Sequence, residues 1–268
     1  MMKFSVLMSL YVKEKPEYLV ECLDSLRSQT YPADEIVVVF DGEVTAALES
    51  VIEKYQKLLP IKIVRLEKNL GLGKALNEGL KYCRNDWVFR MDTDDICVPQ
   101  RFQKQVDFIL NYPNTVIFGG QIAEFNQSVD DIVSYRKVPL SAKDIVDFTL
   151  KRSPFNHMTV AYKKQAVQSV GGYQDLQEDY YLWINLVAKY PQKIANLSEI
   201  LVYARVGNGM VGRRRGIAQA RCEWRLFRLK QRLGIQGRFA GVAVLIARLL
   251  PRLLPVSLLQ FVYKFLRK

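Results

Sequence analysis

The sequence has little histidine and cysteine, the residues on which zinc sites and disulfide frameworks are built. It contains one histidine, His157, and four scattered cysteines that form no C-x-x-C pair. Zinc sites and secreted disulfide scaffolds need such residues at short, regular spacings. Neither class is therefore indicated, and the scattered cysteines are typical of a protein from a reducing compartment.

Long apolar runs are also absent. No stretch reaches about 18 uninterrupted apolar residues, the length that an ordinary membrane-spanning helix requires. The apolar start, residues 4–12, is not followed by a small-residue cleavage site, so we interpret it as a first strand rather than a signal peptide. With 268 residues, 49% of them hydrophobic, the chain has ample material for a packed core.

Acidic residues are nearly absent from the last quarter of the chain. From Arg205 to Lys268 there are 15 Lys and Arg and one acidic residue, Glu223, so this segment carries +14 while residues 1–204 carry −2. A basic segment favours an anionic partner: phospholipid, lipid-linked phosphate or nucleic acid. Its arginines alternate with Leu, Val and Ile, and no RNA-binding signature is present, which argues against nucleic acid.

Two hypotheses describe this basic extension, residues 207–268. Its apolar residues are interrupted by Arg248, Pro251, Arg252 and Pro255, which favours helices that lie in the membrane interface; the alternative is that they pack on the rest of the chain. If they lie in the interface, a chain that ends at Gly237 is expected to be more soluble and still to bind nucleotide.

Apolar runs and amphipathic segments alternate from residue 4 to residue 92. Strands are predicted at 4–12, 35–42, 61–67 and 86–92, and helices begin at Pro16, near Val44 and at Gly73. The strand segments show no polar alternation, as in parallel strands that are covered on both faces. The pattern predicts an α/β fold with a Rossmann-like, mainly parallel sheet flanked by helices.

The second half is less regular. Strands are predicted at 115–125, 157–164 and 198–206, and helices at 141–151 and 178–190. Ser141 is of the type that caps a helix start, and Glu178 and Asp179 suit the positive end of a helix dipole. We divide the chain into two halves of one domain, 1–100 and 101–206, followed by the basic extension.

Polar residues stand where the first four predicted strands end. They are Tyr11 and Glu14 after the first strand, Asp41 after the second, Asn69 after the third, and Asp92 and Asp94 after the fourth. Ligands of parallel α/β sheets bind beyond the carboxyl ends of the strands. We therefore expect these side chains to converge on one site.

Three carboxylates fall within four positions of the segment RMDTDD: Asp92, Asp94 and Asp95. Like charges this close repel unless a positive group lies among them. Mg²⁺ and Mn²⁺ take oxygen ligands and often bind one or two carboxylates together with substrate phosphates. The spacing favours such a cation, which would neutralise a nucleotide diphosphate as a leaving group. The alternative is that the acids merely solvate a strand end.

The glycine-rich segment KNLGLGKALNEGL, residues 68–80, does not match the known phosphate-binding signatures. Gly71 and Gly73 are followed by Leu76 where G-x-G-x-x-G requires a third glycine, and the Gly-Lys-Ser/Thr of a P-loop is missing. The glycines still allow close backbone approach to a ligand, with Lys74 directed at phosphate. The alternative is an ordinary loop and helix cap.

Taken in order, these segments resemble glycosyltransferase family 2, the inverting GT-A enzymes of bacterial polysaccharide assembly. NLGLGKALNEGL is similar to the family's N-x-G-x-x-x-A-x-N-x-G segment, FRMDTDD to its metal motif, and GGYQDLQEDYYLWINL to its G-G-Y…E-D-x-x-L-W segment. The resemblance covers about residues 3–206 and is to the exopolysaccharide and O-antigen type, including enzymes of amylovoran synthesis. It implies a GT-A fold in which residues 1–100 bind the nucleotide sugar and residues 101–206 bind the acceptor and carry the catalytic base.

The resemblance also implies roles on the nucleotide side. Asp41 binds the base, usually uracil, and Asp92 lies near the ribose and diphosphate. Tyr11 and Glu14 match the nucleotide-binding turn, which often reads P-x-Y-N in the family and reads SLYVKE here. This departure affects the assignment of Glu14.

The remaining implied roles concern the metal and the proton. Asp94 ligates Mg²⁺ or Mn²⁺ together with Asp92, and Asp179 is the catalytic base, with Glu178 as its rival. Asp95 is tolerated by the family motif without being required.

For each of two aromatic residues, the sequence allows two roles. His157 is either structural or a contact of a pyrophosphate or metal. Trp183 is either a core residue or a shelf for an acceptor sugar.

These roles imply a metal-dependent inverting glycosyltransferase of surface polysaccharide synthesis. It would move a hexose from a UDP-sugar to a lipid-linked oligosaccharide, such as one on undecaprenyl diphosphate, at the cytoplasmic face of the bacterial inner membrane or in the cytoplasm. The alternatives are a sugar-nucleotide nucleotidyltransferase, which has no use for Asp179 as a base, and a basic nucleic-acid-binding protein.

Overall fold

A mixed sheet of nine strands lies at the centre of the protein in a computed structural model that describes residues 1–174, 177–206 and 217–253. The strands are β1 (Ser5–Leu10), β2 (Glu35–Phe40), β3 (Ile61–Arg65), β4 (Trp87–Arg90), β5 (Ile96–Cys97), β6 (Ile117–Phe125), β7 (Ile132–Arg136), β8 (Ala161–Lys163) and β9 (Ile194–Arg205). The helices are α1 (Pro16–Arg27), α2 (Ala46–Gln56), α3 (Leu72–Tyr82), α4 (Arg101–Asn111), α5 (Ala142–Thr149), α6 (Lys164–Gln168), α7 (Glu178–Lys189), α8 (Ile217–Arg232) and α9 (Arg238–Leu253). A short 3₁₀ helix (His157–Thr159) precedes β8.

The first half of the sheet is parallel, as the alternation of strands and helices predicts. β3, β2, β1 and β4 lie side by side in this order, and all three pairings between them are parallel. Successive side chains of β1 enter two separate cores, with Val6 and Met8 on the face covered by α1 and α2 and Leu7 on the face covered by α3 and α7. Because both faces are covered, β1 and β2 are nearly continuous apolar runs, whereas the edge strand β3 is mostly half-buried or exposed.

The second half of the sheet is joined to β4 by antiparallel pairings. β8 pairs antiparallel with β4 and β6, and β6 pairs antiparallel with β7 and parallel with β9. β5 pairs antiparallel with β9. The mainly parallel sheet of the prediction therefore describes residues 5–90, and the complete sheet is mixed. The sequence pattern did not indicate β5, β7, α4 or α6.

The predicted strand at 157–164 is largely wrong. Only β8 is extended, and the segment before it forms the 3₁₀ helix. Side chains hold this turn by bonds to backbone groups: Thr159 Oγ1 donates to Asn156 O (2.8 Å), and Asn156 Nδ2 donates to Gly120 O (2.9 Å). Such bonds compete with strand pairing, and apolar periodicity carries no information about them.

The first helix of the basic extension, α8, packs on the rest of the chain. Its residues Leu226 and Leu229 join a core cluster with Tyr180 of α7. Lys230, 3% exposed, donates from Nζ to Leu150 O (2.7 Å) and to Tyr180 Oη (2.8 Å). For α8 the structure thus follows the packing hypothesis. Within the described ranges, every helix is too short or too polar to cross a membrane.

The second helix of the extension, α9, has one side on the protein and one exposed apolar side. Arg248 pairs with Glu223 of α8 (Nε to Oε2, 2.5 Å) and donates from Nη1 to Lys151 O (2.7 Å). Apolar side chains at helical spacing are 45% to 95% exposed; they are Phe239, Val242, Ile246 and Leu250. Residues 207–216 and 254–268 of the extension lie outside the described residues.

Candidate active site

The carboxyl ends of β1, β2 and β3 are joined by Asp41, which is 3% exposed. Its backbone N–H donates to Leu10 O (2.8 Å), and its carboxylate accepts the N–H groups of Leu70 (2.6 Å) and Gly71 (3.0 Å). Asp41 thus holds the loop after β3 against the end of β2. Its contact with a nucleotide base stays a prediction.

The turn after β1 is joined to the acidic segment after β4. Glu14 Oε2 accepts a hydrogen bond from Thr93 Oγ1 (2.6 Å), and Glu14 Oε1 accepts one from the N–H of Lys15 (2.8 Å). Tyr11, at the start of the turn, is 38% exposed. The structure therefore brings the turn of Tyr11 and Glu14 together with the D-T-D-D segment, as expected from the parallel strands.

The three aspartates after β4 have different surroundings. Asp95 is 3% exposed, and its Oδ1 accepts the backbone N–H of Arg205 on β9 (2.8 Å). Asp94 is half-buried, and burial together with the carboxylates of Asp92 and Glu14 raises its pKa to about 7. Asp95 is thus a structural acceptor, whereas the negative charge of Asp94 lies among like charges.

The chemistry of Asp92 and Asp94 fits a divalent cation. A carboxylate whose pKa is raised by its neighbours marks a place where added positive charge is stabilising. In the part of the chain that the structure describes, no group of three or more His, Cys, Asp or Glu side chains is arranged to hold an ion by itself. The pair therefore fits an ion that also takes oxygen ligands from a bound phosphate, the usual arrangement for Mg²⁺.

A buried arginine, which the sequence interpretation missed, is the protein's own positive partner for these acids. Arg90, the last residue of β4, is 1% exposed, and its Nη2 lies 2.5 Å from Asp92 Oδ1. The expectation that a metal is the positive group among the acids is therefore incomplete, because one cation is built into the strand. The sequence signal for it is a charged residue inside the apolar run WVFRM.

The two acids that begin α7 are partly buried and lie within range of the charge of Asp92. Burial raises the pKa of Glu178 and of Asp179, and in both cases the carboxylate of Asp92 adds to the rise. Arg136 of β7 acts in the opposite direction on the pKa of Asp179. A carboxylate with a raised pKa is suited to accept a proton near neutral pH. Which of the two acids is the base stays a prediction.

A close approach between α3 and the start of α7 places the glycine-rich segment next to these acids. A Cβ atom at Gly73 would lie 2.9 Å from Gln174 O and 3.0 Å from Glu178 Cβ, so a larger residue requires the backbone to move. Lys74 follows in the first turn of α3 and is exposed. Gly73 therefore allows α3 to pack closely against the start of α7, and Lys74 is the next residue after this contact.

His157, which is half-buried, and Trp183, which is buried, belong to one aromatic cluster. The ring of His157 lies 5.6 Å from that of Tyr173 and 5.8 Å from that of Trp183, between centroids, and its Nε2 lies 3.3 Å from Tyr173 Oη. Burial lowers the pKa of His157 well below its usual value, so the ring is neutral. Trp183 is fully buried, which supports the core interpretation over a shelf for a sugar.

Comparison with known proteins assigns this chain to a family. The sequence model described as Glycosyl transferase family 2 matches residues 5–171. A protein of Haemophilus influenzae, named uncharacterized glycosyltransferase, is 65% identical over 100% of both chains. Amylovoran biosynthesis glycosyltransferase AmsE of Erwinia amylovora is 45% identical over 99% of both chains. UDP-Gal:alpha-D-GlcNAc-diphosphoundecaprenol beta-1,3-galactosyltransferase of Escherichia coli is 38% identical over 98% of this chain and 95% of its own.

Solved structures share the fold. S. aureus TarS 1–349 in complex with UDP superposes with a TM-score of 0.67 at 23% identity, covering 92% of this chain and 71% of that one. Mannosyltransferase PcManGT from Pyrobaculum calidifontis, in complex with GDP-Man and Mn²⁺, superposes with a TM-score of 0.62 at 16% identity, covering 98% and 80%. At these identities the likeness concerns the fold, and it confirms the predicted GT-A architecture.

Proposed function

The chain belongs to glycosyl transferase family 2 and is a glycosyltransferase, and we propose that it transfers a hexose from a UDP-sugar to a lipid-linked saccharide with inversion at the anomeric carbon. The observation that carries the proposal is the close approach of Gly73 to Glu178, which places the start of α7 beside the glycine-rich segment that Asp41 holds at the end of β2. A single displacement needs a base for the acceptor on one side and groups that bind the leaving diphosphate on the other. The relative named for a UDP-Gal donor supports uridine as the nucleotide.

In the proposed reaction, an acceptor hydroxyl oxygen forms a bond to the anomeric carbon while the bond from that carbon to the diphosphate breaks. Asp179 takes the hydroxyl proton, and UDP leaves from the opposite side, so the configuration inverts. Asp92 and Asp94 would hold Mg²⁺ or Mn²⁺, which supplies positive charge to the departing diphosphate when bound. Arg90 orients Asp92 from inside the protein, while Tyr11, Glu14 and Asp41 border the nucleotide, with Lys74 on the side of the phosphates.

The acceptor in this proposal is a saccharide on undecaprenyl diphosphate, used for a bacterial exopolysaccharide, capsule or O-antigen. Two relatives support it by name, one with a diphosphoundecaprenol acceptor and one from amylovoran biosynthesis. The protein would then work at the cytoplasmic face of the inner membrane. The exposed apolar side of α9, in a strongly basic segment, suits adsorption to an anionic leaflet.

A donor screen tests the proposal. Purified full-length protein is incubated with a panel of sugar nucleotides, Mn²⁺ and a short lipid-diphosphate-linked saccharide, and the released nucleotide is identified. We expect one donor to release UDP in a reaction that needs both the metal and the acceptor. Release of pyrophosphate in place of UDP contradicts sugar transfer, and full turnover in excess chelator contradicts the role of the metal.

A further inference from the structure

The outer face of α8 carries a stripe of arginines. Arg221, Arg225, Arg228 and Arg232 are spaced by four, three and four residues, so they lie on one side of the helix over about 16 Å. All four are exposed. Among the described residues, none offers their side chains an ion pair or a hydrogen bond.

The extension holds no acid that neutralises this arginine stripe. Glu223 is the single acidic residue in the segment 205–268, and its side chain is 2% exposed and paired with Arg248 of α9. Like charges three and four residues apart on a helix repel one another. A bound anion would remove this repulsion.

Three arginines of the stripe border a cavity. The cavity has a volume of about 770 Å³. Its wall includes Arg225, Arg228, Arg232, Gln174, Tyr181 and Trp224. Three guanidinium groups and two aromatic rings therefore line the same cavity. This combination suits a ligand that has both phosphate and apolar parts.

The cavity opens beside the helix that carries the proposed base. Tyr181, on its wall, follows Asp179 by two residues in the first turn of α7, so the two side chains point to opposite sides of the helix, about one helix diameter or roughly 10 Å apart. Gln177, just before α7, donates from Nε2 to Gln219 Oε1 of α8 (3.2 Å) and joins the two helices at this point. A saccharide whose reacting hydroxyl lies at Asp179 would place its far end at the cavity by passing the start of α7, where Gln177 lies.

We propose that this cavity binds the diphosphate of the lipid-linked acceptor. The inference rests on the proposed function, because it locates the non-reacting end of that acceptor. Side chains at i and i+3 of a helix are about 5–6 Å apart, and a guanidinium binds phosphate through two parallel hydrogen bonds. Arg225 and Arg228 therefore match two adjacent phosphates, and Tyr181 and Trp224 cover the sugar or the first lipid carbons.

The position of the cavity distinguishes this site from a general membrane surface. The exposed apolar side chains that suit entry into lipid lie on α9, at Phe239 and Ile246 among others. The arginine stripe instead borders a hollow beside α7. Its ligand is therefore the phosphate pair of one acceptor molecule rather than the headgroups of bulk phospholipid.

The test compares two full-length double variants. Arg225→Gln/Arg228→Gln removes two charges from the cavity, and the matched control Lys143→Gln/Arg152→Gln removes two exposed charges on and just after α5. The probes are farnesyl diphosphate and the neutral alcohol farnesol, titrated by calorimetry. We expect the cavity variant to bind farnesyl diphosphate at least about tenfold more weakly, given the strength of hydrogen bonds between charged groups. The control variant should bind farnesyl diphosphate like the unaltered protein. The affinity for farnesol should be the same for the unaltered protein, the cavity variant and the control.

A second arm separates the acceptor phosphates from bulk lipid. Co-sedimentation with vesicles of phosphatidylglycerol and phosphatidylcholine, without any diphosphate, should be equal for the cavity variant and the control. Equal affinity of both variants for farnesyl diphosphate overturns the proposal. Vesicle binding that falls in the cavity variant as much as its affinity for farnesyl diphosphate also overturns it, because the stripe is then a general charged surface.

Measuring the binding of the donor nucleotide distinguishes a failure of this inference from a failure of the proposed function. Binding of UDP with Mn²⁺ should be the same in the cavity variant and the unaltered protein, which also shows that the variant is folded. If no sugar nucleotide releases UDP, the proposed function fails, while the farnesyl diphosphate titration still decides whether the cavity binds a lipid diphosphate.

Discussion

Arg90 Nη2 lies 2.5 Å from Asp92 Oδ1, with 1% of the arginine side chain and 27% of the aspartate side chain exposed. Within the described residues, Asp92 is the acid that pairs with the Arg90 guanidinium, so the buried charge depends on this ion pair. A buried charge that loses its partner is strongly destabilising. Asp92 therefore has a structural task in addition to its proposed contact with the diphosphate.

The first prediction separates these two tasks of Asp92. Asp92→Ala should lower the free energy of unfolding by about 3 kcal/mol, because Arg90 is left buried and unpaired. The double variant Arg90→Met/Asp92→Ala removes the stranded charge and should recover most of the stability without recovering transfer. Urea denaturation and a transfer assay on the three proteins check this, and an Asp92→Ala protein as stable as the unaltered one contradicts it.

The second prediction concerns Asp94 and includes a pH dependence. Its pKa of about 7 in the folded protein lies above the ordinary value of 3.8, so the unfolded chain releases the proton more readily and stability falls as pH rises from about 4 to 7. Asp94→Asn should therefore stabilise the metal-free protein by on the order of 1 kcal/mol at pH 8. It should also lower turnover by roughly 10²-fold or more, because charge stabilisation by a metal supplies several kcal/mol. Denaturation at pH 5 and 8 gives the first quantity, and nucleotide release gives the second.

A third prediction distinguishes Asp95 from its neighbour. Asp95→Ala leaves the buried N–H of Arg205 without an acceptor and should cost about 1–3 kcal/mol of stability. Asp95→Asn keeps a side-chain oxygen at this place and serves as the control, with a smaller loss expected. Mn²⁺-dependent UDP binding should remain in both variants. Loss of metal binding with unchanged stability would instead make Asp95 a ligand.

The fourth prediction assigns the base. Asp179→Asn should lower transfer by roughly 10²-fold or more, the scale of general-base catalysis, while the affinity for UDP and Mn²⁺ stays near that of the unaltered protein. Glu178→Gln is the matched control at the adjacent position. Calorimetric titration measures the affinity for UDP and Mn²⁺, and a transfer assay measures the rate of sugar transfer. Normal transfer by Asp179→Asn together with an inactive Glu178→Gln would move the role to Glu178.

The fifth prediction revises the expectation for a chain that ends at Gly237. The truncation removes Arg248, which pairs with the buried Glu223 and donates to Lys151 O. The truncated chain should therefore be less stable, by on the order of 1–3 kcal/mol, rather than simply more soluble. Adding Glu223→Gln to the truncated chain removes the carboxylate that has lost Arg248 and should restore part of the loss in thermal denaturation. A truncated chain of unchanged stability contradicts the prediction.

The sequence by itself determined the parallel half of the sheet. The apolar runs of β1, β2 and β4, and the helices between them, follow from short-range periodicity, which is visible within ten residues. The same periodicity locates Asp41, Asp92 and Asp94 at the ends of parallel strands. Because such ends meet at one edge, the convergence of these residues on one edge of the sheet was predictable, while their roles stay predictions.

Only the tertiary structure decided which acids in this site are buried and what each one is paired with. Asp94 and Asp95 are adjacent in sequence, and Asp95 becomes a structural acceptor because β9 brings the N–H of Arg205, 110 residues away, to its carboxylate. Arg90 is a buried partner of Asp92 because it lies on the same face of β4 as Val88, which belongs to a core cluster assembled from distant segments. The docking of α8 through Lys230 is equally remote, since its acceptor Leu150 lies 80 residues earlier. Contacts between distant segments leave no periodic trace in the chain, and these contacts fix which charges are buried, paired or left for a ligand.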